Sequence, residues 1–369
     1  MVQRFIGLMS GTSMDAVDAA LVQINTQGSL KLEARFSLLI PPELRRRLLT
    51  ISHTSTWSAD ELGSLDSAFS EHCVEAVRTL LKNAKVGPEE VVAIASHGQT
   101  VRHQPNLIPP YTFQIGDPAR MAINTGIDVI YDFRRKDIAA GGQGAPLVPA
   151  FHQQLFAREQ QSIAVINLGG IANVTWLGPE GQVSGFDTGP ANTLLDQWIQ
   201  HHYPNKSFDQ DAQFARSGQV QPELLKQLLG HPFFSKKAPK STGREEFNLD
   251  WLKHHLSERS FSAEDVQRTV TELTAISIRD ALITLPQQPE AVYFCGGGTK
   301  NPLLMERLAQ LLSPAKCDTT ERLGVDPQWV EAMAFAWLGW CYEHKKPGNQ
   351  PAVTGASRPV ILGAKVLHQ

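Results

Sequence analysis

Three glycine-bearing turns, each preceded by an apolar run, restrict the fold of this chain more than any other feature. They lie at 9–18, 167–173 and 295–301, and the last contains three consecutive glycines. A polyphosphate needs several backbone N–H donors at close range, and glycine permits both the turn geometry and the close approach. Each turn alone is more often an ordinary hairpin turn than a phosphate site. Their repetition makes a phosphate-binding backbone the hypothesis to test.

The turns at 9–18 and 167–173 stand near the beginning of two similar halves of the chain. The first half reads as strand, turn, strand, strand, and the pattern returns in the second half, with apolar runs at 5–9, 17–24, 30–40, 164–168, 171–177 and 182–186. At 369 residues the chain exceeds what one core organises, since domains hold about 100 to 200 residues each. We predict two α/β domains facing each other across a ligand-binding cleft. The first covers 1–135 and about 349–369, the second covers 136–348, and the chain crosses between them in the glycine-rich stretch 139–146.

Local signals place helices and strands between the turns. Ser58 followed by Glu61 forms a capping box before a long amphipathic helix. A buried strand is predicted at 91–95, and its carboxyl end delivers the polar residues of 96–100 to a binding loop. The other predicted elements are strands at 128–133, 291–295 and 359–362, a helix from about Ser262, and a helix capped by Asn301 with Pro302 in its first turn.

Charge and composition exclude several classes of protein. The net charge of −3 provides no field to hold a polyanion, so we expect no nucleic-acid partner. The sequence lacks a Walker A motif and a dinucleotide-binding G-x-G-x-x-G at a strand-to-helix junction. The polar N-terminus and the short apolar runs predict a cytoplasmic protein without a membrane partner. The cysteines indicate reduced, mostly buried thiols, because Cys73, Cys295, Cys317 and Cys341 are widely spaced.

In their order and hydrophobic flanks, the three turns resemble the phosphate-1, phosphate-2 and adenosine motifs of the actin-like ATPase superfamily. This resemblance implies two ribonuclease-H-like domains of the actin and hexokinase type, which flank a central nucleotide and sugar cleft. A closer resemblance, to the anhydro-N-acetylmuramic acid kinases, extends from Gly7 to about Gly363. It rests on GLMSGTSMD at 7–15, SHGQT at 96–100, DFRR at 132–135, GGQGAPLVP at 141–149, GFDTGP at 185–190, KSTGRE at 240–245 and EAMAFAWL at 331–338. Ala16 departs from the glycine usual there and disfavours a positive φ.

The resemblance implies an ATP-dependent kinase of peptidoglycan recycling. In the family's coupled reaction, water attacks the anomeric carbon of an amino sugar, the 1,6-anhydro bridge opens, and the released O6 takes the γ-phosphoryl group. The cofactors implied are ATP and Mg²⁺, and the assembly implied is a homodimer.

The resemblance also assigns roles to particular residues. Asp187 is the expected base that accepts the proton of water; the alternative is a cap of the following helix. The nucleotide-binding residues expected are Gly11, Thr12, Ser13, Met14, Asp15, Ala16, Val17, Asp18, Gly169, Gly170, Gly296, Gly297 and Gly298. Asp15 is also the expected metal ligand, with Asp18 the other candidate and a turn-capping role the alternative for both.

Sugar binding is assigned to four polar residues. These are His97, Gln99, Gln143 and Glu331. For the first three a purely structural role is equally open, and Glu331 could instead pair with the dipole of its own helix. Arg134 and Arg135 could neutralise the lactyl carboxylate or lie on a solvated face, and Lys300 could also be solvated.

Two other functions fit the same fold. A conventional sugar kinase would use Asp187 to deprotonate a free hydroxyl, and only a dependence on the anhydro bridge separates it from the first hypothesis. An actin-like or chaperone-like protein would instead use its ATP cycle for assembly or binding, and would hydrolyse ATP slowly without sugar.

Overall fold

The computed structural model describes residues 2–11, 13–54, 56–244, 246–256 and 260–369, and the chain divides into two compact units. The first unit runs to Leu155 and resumes at Trp329, whereas the second is the continuous stretch Phe156–Gln328. Each unit contains its own mixed β-sheet with helices, which confirms the predicted α/β class.

The first unit opens with a meander and then alternates helices with strands. In chain order its elements are β1 (Val2–Met9), β2 (Ala16–Asn25), β3 (Leu30–Leu39), α1 (Pro42–His53), α2 (Ala59–Ala84), β4 (Val91–Ser96), β5 (Gln99–Gln104), β6 (Tyr111–Ile115), α3 (Pro118–Thr125), β7 (Val129–Tyr131), α4 (Arg135–Ala139) and α5 (Val148–Phe156). Helix α2 begins as predicted, because the Ser58 side chain accepts a hydrogen bond from the Glu61 N–H.

The second unit repeats this plan. Its elements are β8 (Ile163–Leu168), β9 (Ile171–Leu177), β10 (Val183–Pro190), α6 (Asn192–His202), α7 (Gln213–Ser217), α8 (Pro222–Leu229), α9 (Pro232–Ser235), α10 (Leu249–Leu256), α11 (Ala263–Ile283), β11 (Ala291–Cys295), α12 (Pro302–Leu311) and β12 (Lys316–Thr319). Asn301 caps α12 as predicted, because its side chain accepts a hydrogen bond from Leu304 N–H. Helix α11 begins near Ser262 as predicted, and the Ser262 side chain caps it by accepting a bond from Asp265 N–H. Short 3₁₀ turns of this unit lie at Gln210–Ala212, Gly297–Lys300 and Thr320–Leu323, and the first unit has one at Pro88–Glu90.

The chain then returns to the first unit with α13 (Val330–Glu343), α14 (Pro351–Thr354) and β13 (Ala364–Val366). Helix α13 is apolar on all sides, as expected of a helix that is buried all round. It lies directly on β1: a Cβ atom added to Gly7 would come within 1.8 Å of the Ala332 carbonyl oxygen. The glycine therefore allows helix and strand to make backbone contact.

The five strands of the second sheet have the same order as five of the six strands of the first, in which β13 is an additional edge strand. The sheet of the first unit runs β13-β7-β4-β1-β2-β3, and that of the second runs β12-β11-β8-β9-β10 in the same sense. In both, the first three strands form an antiparallel meander and the inner strand then pairs in parallel with a later strand. This is the ribonuclease-H-like order, and it confirms the internal repeat.

Several boundaries differ from the prediction. The sequence placed the domain divisions after 135 and after 348, but residues 136–155 and 329–348 belong to the first unit. The physical reason is that the carboxylate of Asp137 binds Asn349 and Thr354, and that α13 covers β1. The glycine-rich stretch is thus a loop within one unit and not a crossing between two.

Two strand predictions also need correction. The expected strand at 359–362 is absent from the structure, where Val360 bonds instead with Gly348 and the Asn349 side chain, and the last strand is β13. The strand predicted at 182–186 continues as β10 through Asp187 to Pro190. The cysteines are free thiols, three of them buried, as expected. Within the described residues, no helix combines the length and the apolarity needed to cross a lipid bilayer.

Candidate active site

The first glycine turn connects β1 to β2. Met14 N–H donates to the Gly11 carbonyl over 3.1 Å, and Ser10 Oγ donates to the Ala16 carbonyl over 3.1 Å. Met14 takes a φ of 54°, unusual for a residue with a side chain, and its side chain is buried in the core of the unit. Ala16 already belongs to the extended strand β2, so the exchange of glycine for alanine imposes no strain there. Thr12 lies outside the described residues.

The turn residues Asp15, Val17 and Asp18 differ in their exposure and in the contacts of their side chains. The exposed Asp15 carboxylate pairs with Arg45 of α1 over 2.8 Å, and the same guanidinium nitrogen donates to the Ser13 carbonyl over 3.1 Å. Val17 is buried in the core, so that only its backbone could face a ligand. Asp18 is half-buried on β2, opposite Met9. A cation thus already contacts the turn proposed for phosphate.

His97 follows directly after β4 and contacts helix α13. Nε and Nη2 of Arg134 lie 3.2 and 2.9 Å from its Nε2, and Nη1 of the same arginine donates to the Gly144 carbonyl over 2.8 Å. The His97 ring packs against Phe335, with 4.9 Å between ring centroids. Burial and the Arg134 charge hold the pKa of His97 well below its usual value. Burial also lowers the pKa of Arg134 to about 10, although the Glu331 carboxylate acts in the opposite direction.

The three other predicted sugar-binding residues, Gln99, Gln143 and Glu331, differ in burial and in the contacts they make. Gln99, fully buried, begins β5 rather than lying in a loop, and its Nε2 donates to the Gly11 carbonyl over 3.4 Å. Glu331 lies in the first turn of α13 and interacts with Arg134, so the helix dipole is not its sole partner. Gln143 is exposed and bonds with Asn106 over 3.2 Å.

Asp137 organises the loop that carries Gln143, and sequence reasoning missed it. Its carboxylate is fully buried and accepts hydrogen bonds from Gly144 N–H, Asn349 Nδ2 and Thr354 Oγ1 over 2.7, 2.7 and 2.8 Å. A buried carboxylate is tolerated only with such partners. The available signal was a charged residue in the motif RRKD followed by small residues, which does not reveal partners more than 200 positions away.

In the second unit, Asp187 lies at an irregularity in β10. The register of β10 with β9 shifts between Asp187 and Gly189, and Gly189 takes a φ of 147°. Such bulges redirect side chains and are frequent beside active sites. The Asp187 carboxylate accepts the Thr242 N–H over 2.9 Å, while its own N–H donates to the Lys240 carbonyl over 3.0 Å. The cap of α6 is Ala191, so Asp187 does not cap that helix.

The segment KSTGRE at 240–245, for which the sequence pattern indicated no role, therefore flanks the proposed base. The motif was visible, but its distance of more than 50 positions from Asp187 hid the contact. Glu245 of this motif lies outside the described residues.

The glycine turns of the second unit pack against each other. Gly169 and Gly170 join β8 to β9, and their carbonyls accept N–H groups from 191–193 at the start of α6. A Cβ atom on Gly296 would lie 2.4 Å from Asn167 Oδ1, and one on Gly298 would lie 2.6 Å from Leu168 Cβ. Gly297 is exposed and opens the 3₁₀ turn that also contains the exposed Lys300. The turn at 296–298 thus needs glycine to approach the turn at 167–173 so closely.

Cross-strand pairing links these turns to Asp187. Asp187 lies opposite Asn173, Asn173 opposite Asn167, and Asn167 opposite Cys295, just before Gly296. Paired residues share a face of the sheet, so three polar side chains and a thiol form one row. The structure thus collects one group in each unit: His97, Gln99, Arg134 and Glu331 near the first turn, and Asp187 in a row with the two glycine turns.

Two ribonuclease-H-like units, each opened by a glycine-bearing hairpin, define a protein of the actin/hexokinase-like ATPase class. A family model described as anhydro-N-acetylmuramic acid kinase matches residues 3–368. The chain is 73% identical over 369 residues to the anhydro-N-acetylmuramic acid kinase of Idiomarina loihiensis, with 100% of both chains covered. It is 51% identical over 363 residues to that of Shewanella oneidensis, with 98% of each covered. The chain therefore belongs to the anhydro-N-acetylmuramic acid kinase family.

Proposed function

We propose that this protein is an ATP-dependent kinase that opens the anhydro ring of 1,6-anhydro-N-acetylmuramic acid and phosphorylates O6, giving N-acetylmuramic acid 6-phosphate and ADP. The observation that carries the proposal is family membership along residues 3–368. The site residues of both units support it with suitable chemistry.

Asp187 is the proposed general base. The oxygen of water forms a bond to C1, the C1–O6 bond breaks, and the proton of water passes to the Asp187 carboxylate. The freed O6 then bonds to the γ-phosphorus, and ADP leaves. The backbone bonds from Lys240 and Thr242 favour this assignment, because they fix the carboxylate at the bulge.

The nucleotide is assigned to the glycine turns of both units. Gly11 to Asp18 would surround the phosphates, together with Gly169 and Gly170, while Gly296 to Gly298 would approach the nucleoside. His97, Gln99, Gln143 and Glu331 would bind the sugar. The donor N–H groups of Arg134 suit the lactyl carboxylate, and burial strengthens such charge-assisted bonds.

Mg²⁺ would neutralise charge on the β- and γ-phosphate oxygens. The described residues contain no group of three or more His, Cys, Asp or Glu side chains placed to hold a metal. This fits an ion held by phosphates, waters and one or two carboxylates rather than by a protein cage. Asp15, with its exposed carboxylate, is the proposed ligand, and Asp18 is the other candidate.

A cytoplasmic location and a homodimeric assembly complete the proposal. The homodimer follows from the resemblance to the family and is tested by light scattering. The location is retained as a prediction of the sequence analysis and is tested by fractionation of cells.

The test of the reaction is mass spectrometry of products formed from ATP, Mg²⁺ and the anhydro sugar in oxygen-18 water. We expect a phosphorylated sugar with one labelled oxygen at C1. An unchanged anhydro sugar, with phosphorylation of a sugar that has a free 6-hydroxyl, would replace the proposal with a conventional sugar kinase.

A further inference from the structure

A three-residue segment, Lys240, Ser241 and Thr242, borders the proposed base; we call it the base strap. It makes two hydrogen bonds with Asp187. The Lys240 carbonyl accepts the Asp187 N–H over 3.0 Å, and the Thr242 N–H donates to Asp187 Oδ2 over 2.9 Å. One contact fixes the backbone of Asp187 and the other fixes its carboxylate. The base strap therefore limits the rotation of the side chain as well as the path of the strand.

The base strap is itself anchored to a buried aromatic cluster. Lys240 Nζ donates to the Phe233 and Phe234 carbonyls over 3.2 and 3.3 Å and lies 4.5 Å from the centroid of the Phe233 ring. Phe233 is fully buried. At the other end, Thr242 Oγ1 donates to Glu246 Oε2 over 2.6 Å. Two anchors thus hold a segment that has no regular secondary structure of its own.

Charge around the base strap acts on Asp187. Burial lowers the pKa of Lys240, whereas the Asp187 carboxylate raises it, so the ammonium in turn favours the ionised carboxylate. The other charged or titratable groups here are His231 and Lys236 at the two ends of α9, with Glu246, which lies 3.9 Å from His231 and 3.8 Å from Lys236. Arg244 follows the base strap in sequence.

We propose that Lys240 and Thr242 are positioning residues, which hold the Asp187 carboxylate ionised and directed for proton abstraction. The inference rests on the proposed function, because it assigns Asp187 as the base. A lysine with its ammonium on two backbone carbonyls and over an aromatic ring has little freedom to bind substrate, so the role proposed for it is an indirect one through Asp187.

The first test compares Lys240→Met with Lys240→Arg and Lys236→Met. Methionine keeps the stem over the Phe233 ring but removes the charge, arginine keeps the charge, and Lys236 lies 5.7 Å from the same ring without contacting the base strap. In the pH profile of kcat/KM, Lys240→Met should move the acidic limb to higher pH, because removal of a nearby positive charge raises the pKa of a carboxyl group. The arginine variant and Lys236→Met should keep the wild-type limb. A wild-type limb in Lys240→Met would overturn the inference.

The second test removes the other contact. Thr242→Pro lacks the N–H that binds Asp187, and Thr242→Ala retains it. We expect kcat to fall about a hundred-fold in the proline variant, as for a misplaced catalytic group, and to fall much less in the alanine variant, which loses only the Oγ1 anchor to Glu246. Equal effects of both substitutions would contradict the inference.

A third readout needs no variant of the base strap. In wild-type protein the Thr242 amide proton resonance should titrate with the Asp187 carboxylate, and in Asp187→Asn it should not. A Thr242 resonance that is independent of pH would overturn the inference even if the substituted proteins failed to fold. Failure of the proposed function looks different, because Asp187→Asn would then keep full activity.

Discussion

Arg134 donates from two nitrogens towards Nε2 of His97, over 3.2 and 2.9 Å. A guanidinium group has donors only, so Nε2 must accept and the ring proton must lie on Nδ1. The same positive charge, added to burial, keeps the pKa of His97 well below its usual value. His97 is therefore a neutral imidazole with a defined tautomer, which agrees with its proposed role in binding the sugar and does not suit a general acid.

Acid should destabilise the folded protein through buried imidazoles. Burial lowers the pKa of His103 to about 4 and that of His152 to about 3. The unfolded chain binds protons below about pH 6.5 while these folded-state groups do not, so the free energy of unfolding falls as pH decreases from there. Each such histidine contributes up to about 1.4 kcal/mol per pH unit until its folded pKa is reached.

The measurement is urea denaturation of wild type and His152→Gln at pH 7 and pH 5. The variant should lose less stability between the two pH values, because one titrating group is gone. His201→Gln, which removes an exposed imidazole, is the control and should behave as wild type. The same loss in His152→Gln as in wild type would contradict this prediction.

Substitution of Asp137 should loosen the loop that carries Gln143. Asp137→Asn replaces an acceptor with an amide facing the Gly144, Asn349 and Thr354 donors, and should lower the free energy of unfolding by about 2–4 kcal/mol. The KM for the sugar should rise as well. Thr354→Val removes only one donor and should cost about 1 kcal/mol in the same urea experiment. Equal costs for the two variants would refute the central role of Asp137.

Substitution by alanine should change the stability of the protein in opposite directions at Gly7, which makes a close contact, and at Gly63, which lies exposed in a helix. Gly7→Ala would place its Cβ 1.8 Å from the Ala332 carbonyl, so α13 must move and stability should fall by more than about 3 kcal/mol. Gly63 lies exposed in α2 with no atom within 4 Å of an added Cβ. Gly63→Ala should therefore stabilise the protein by about 0.5–1 kcal/mol. Thermal denaturation followed by circular dichroism measures both, and a Gly7→Ala variant as stable as wild type would be inconsistent with the contact.

Loss of the proposed base should affect chemistry rather than folding. Asp187→Asn should lower kcat by about 100-fold or more, the usual contribution of a general base, with a melting temperature near that of wild type. Asp250→Asn, at an exposed position of α10, is the matched control and should retain activity. Phosphorylation of the anhydro sugar by Asp187→Asn at the wild-type rate would remove Asp187 from the mechanism.

The elements that were predicted correctly are those whose stabilising hydrogen bonds join residues close together in the sequence. Ser58 caps α2 and Asn301 caps α12 because the partner N–H lies three residues away. The glycine turns were found for the same reason, since strand, turn and strand are contiguous. The repeated strand order then followed from finding the same local pattern twice.

What the sequence did not show depends on distant contacts. Asp137 takes Asn349 as a partner, and Asp187 takes Thr242, and neither pairing has a local signature. The domain limits were misplaced for a related reason. The glycines at 141–144 are typical of a linker, but the buried Asp137 carboxylate holds this stretch within the first unit. Strand β10 was ended too early because a glycine and a proline after Asp187 usually stop a strand, whereas here a bulge accommodates them.

The return of the chain to the first unit determines an order of assembly during synthesis. The second unit is continuous, so all of its residues are available once Gln328 has left the ribosome, whereas β1 must wait for α13. Until then the surface around Gly7 lacks the helix that lies on it in the finished protein. The half that begins the sequence is therefore the last to be completed, and a nascent chain stalled before Trp329 would present an uncovered apolar sheet to chaperones and proteases.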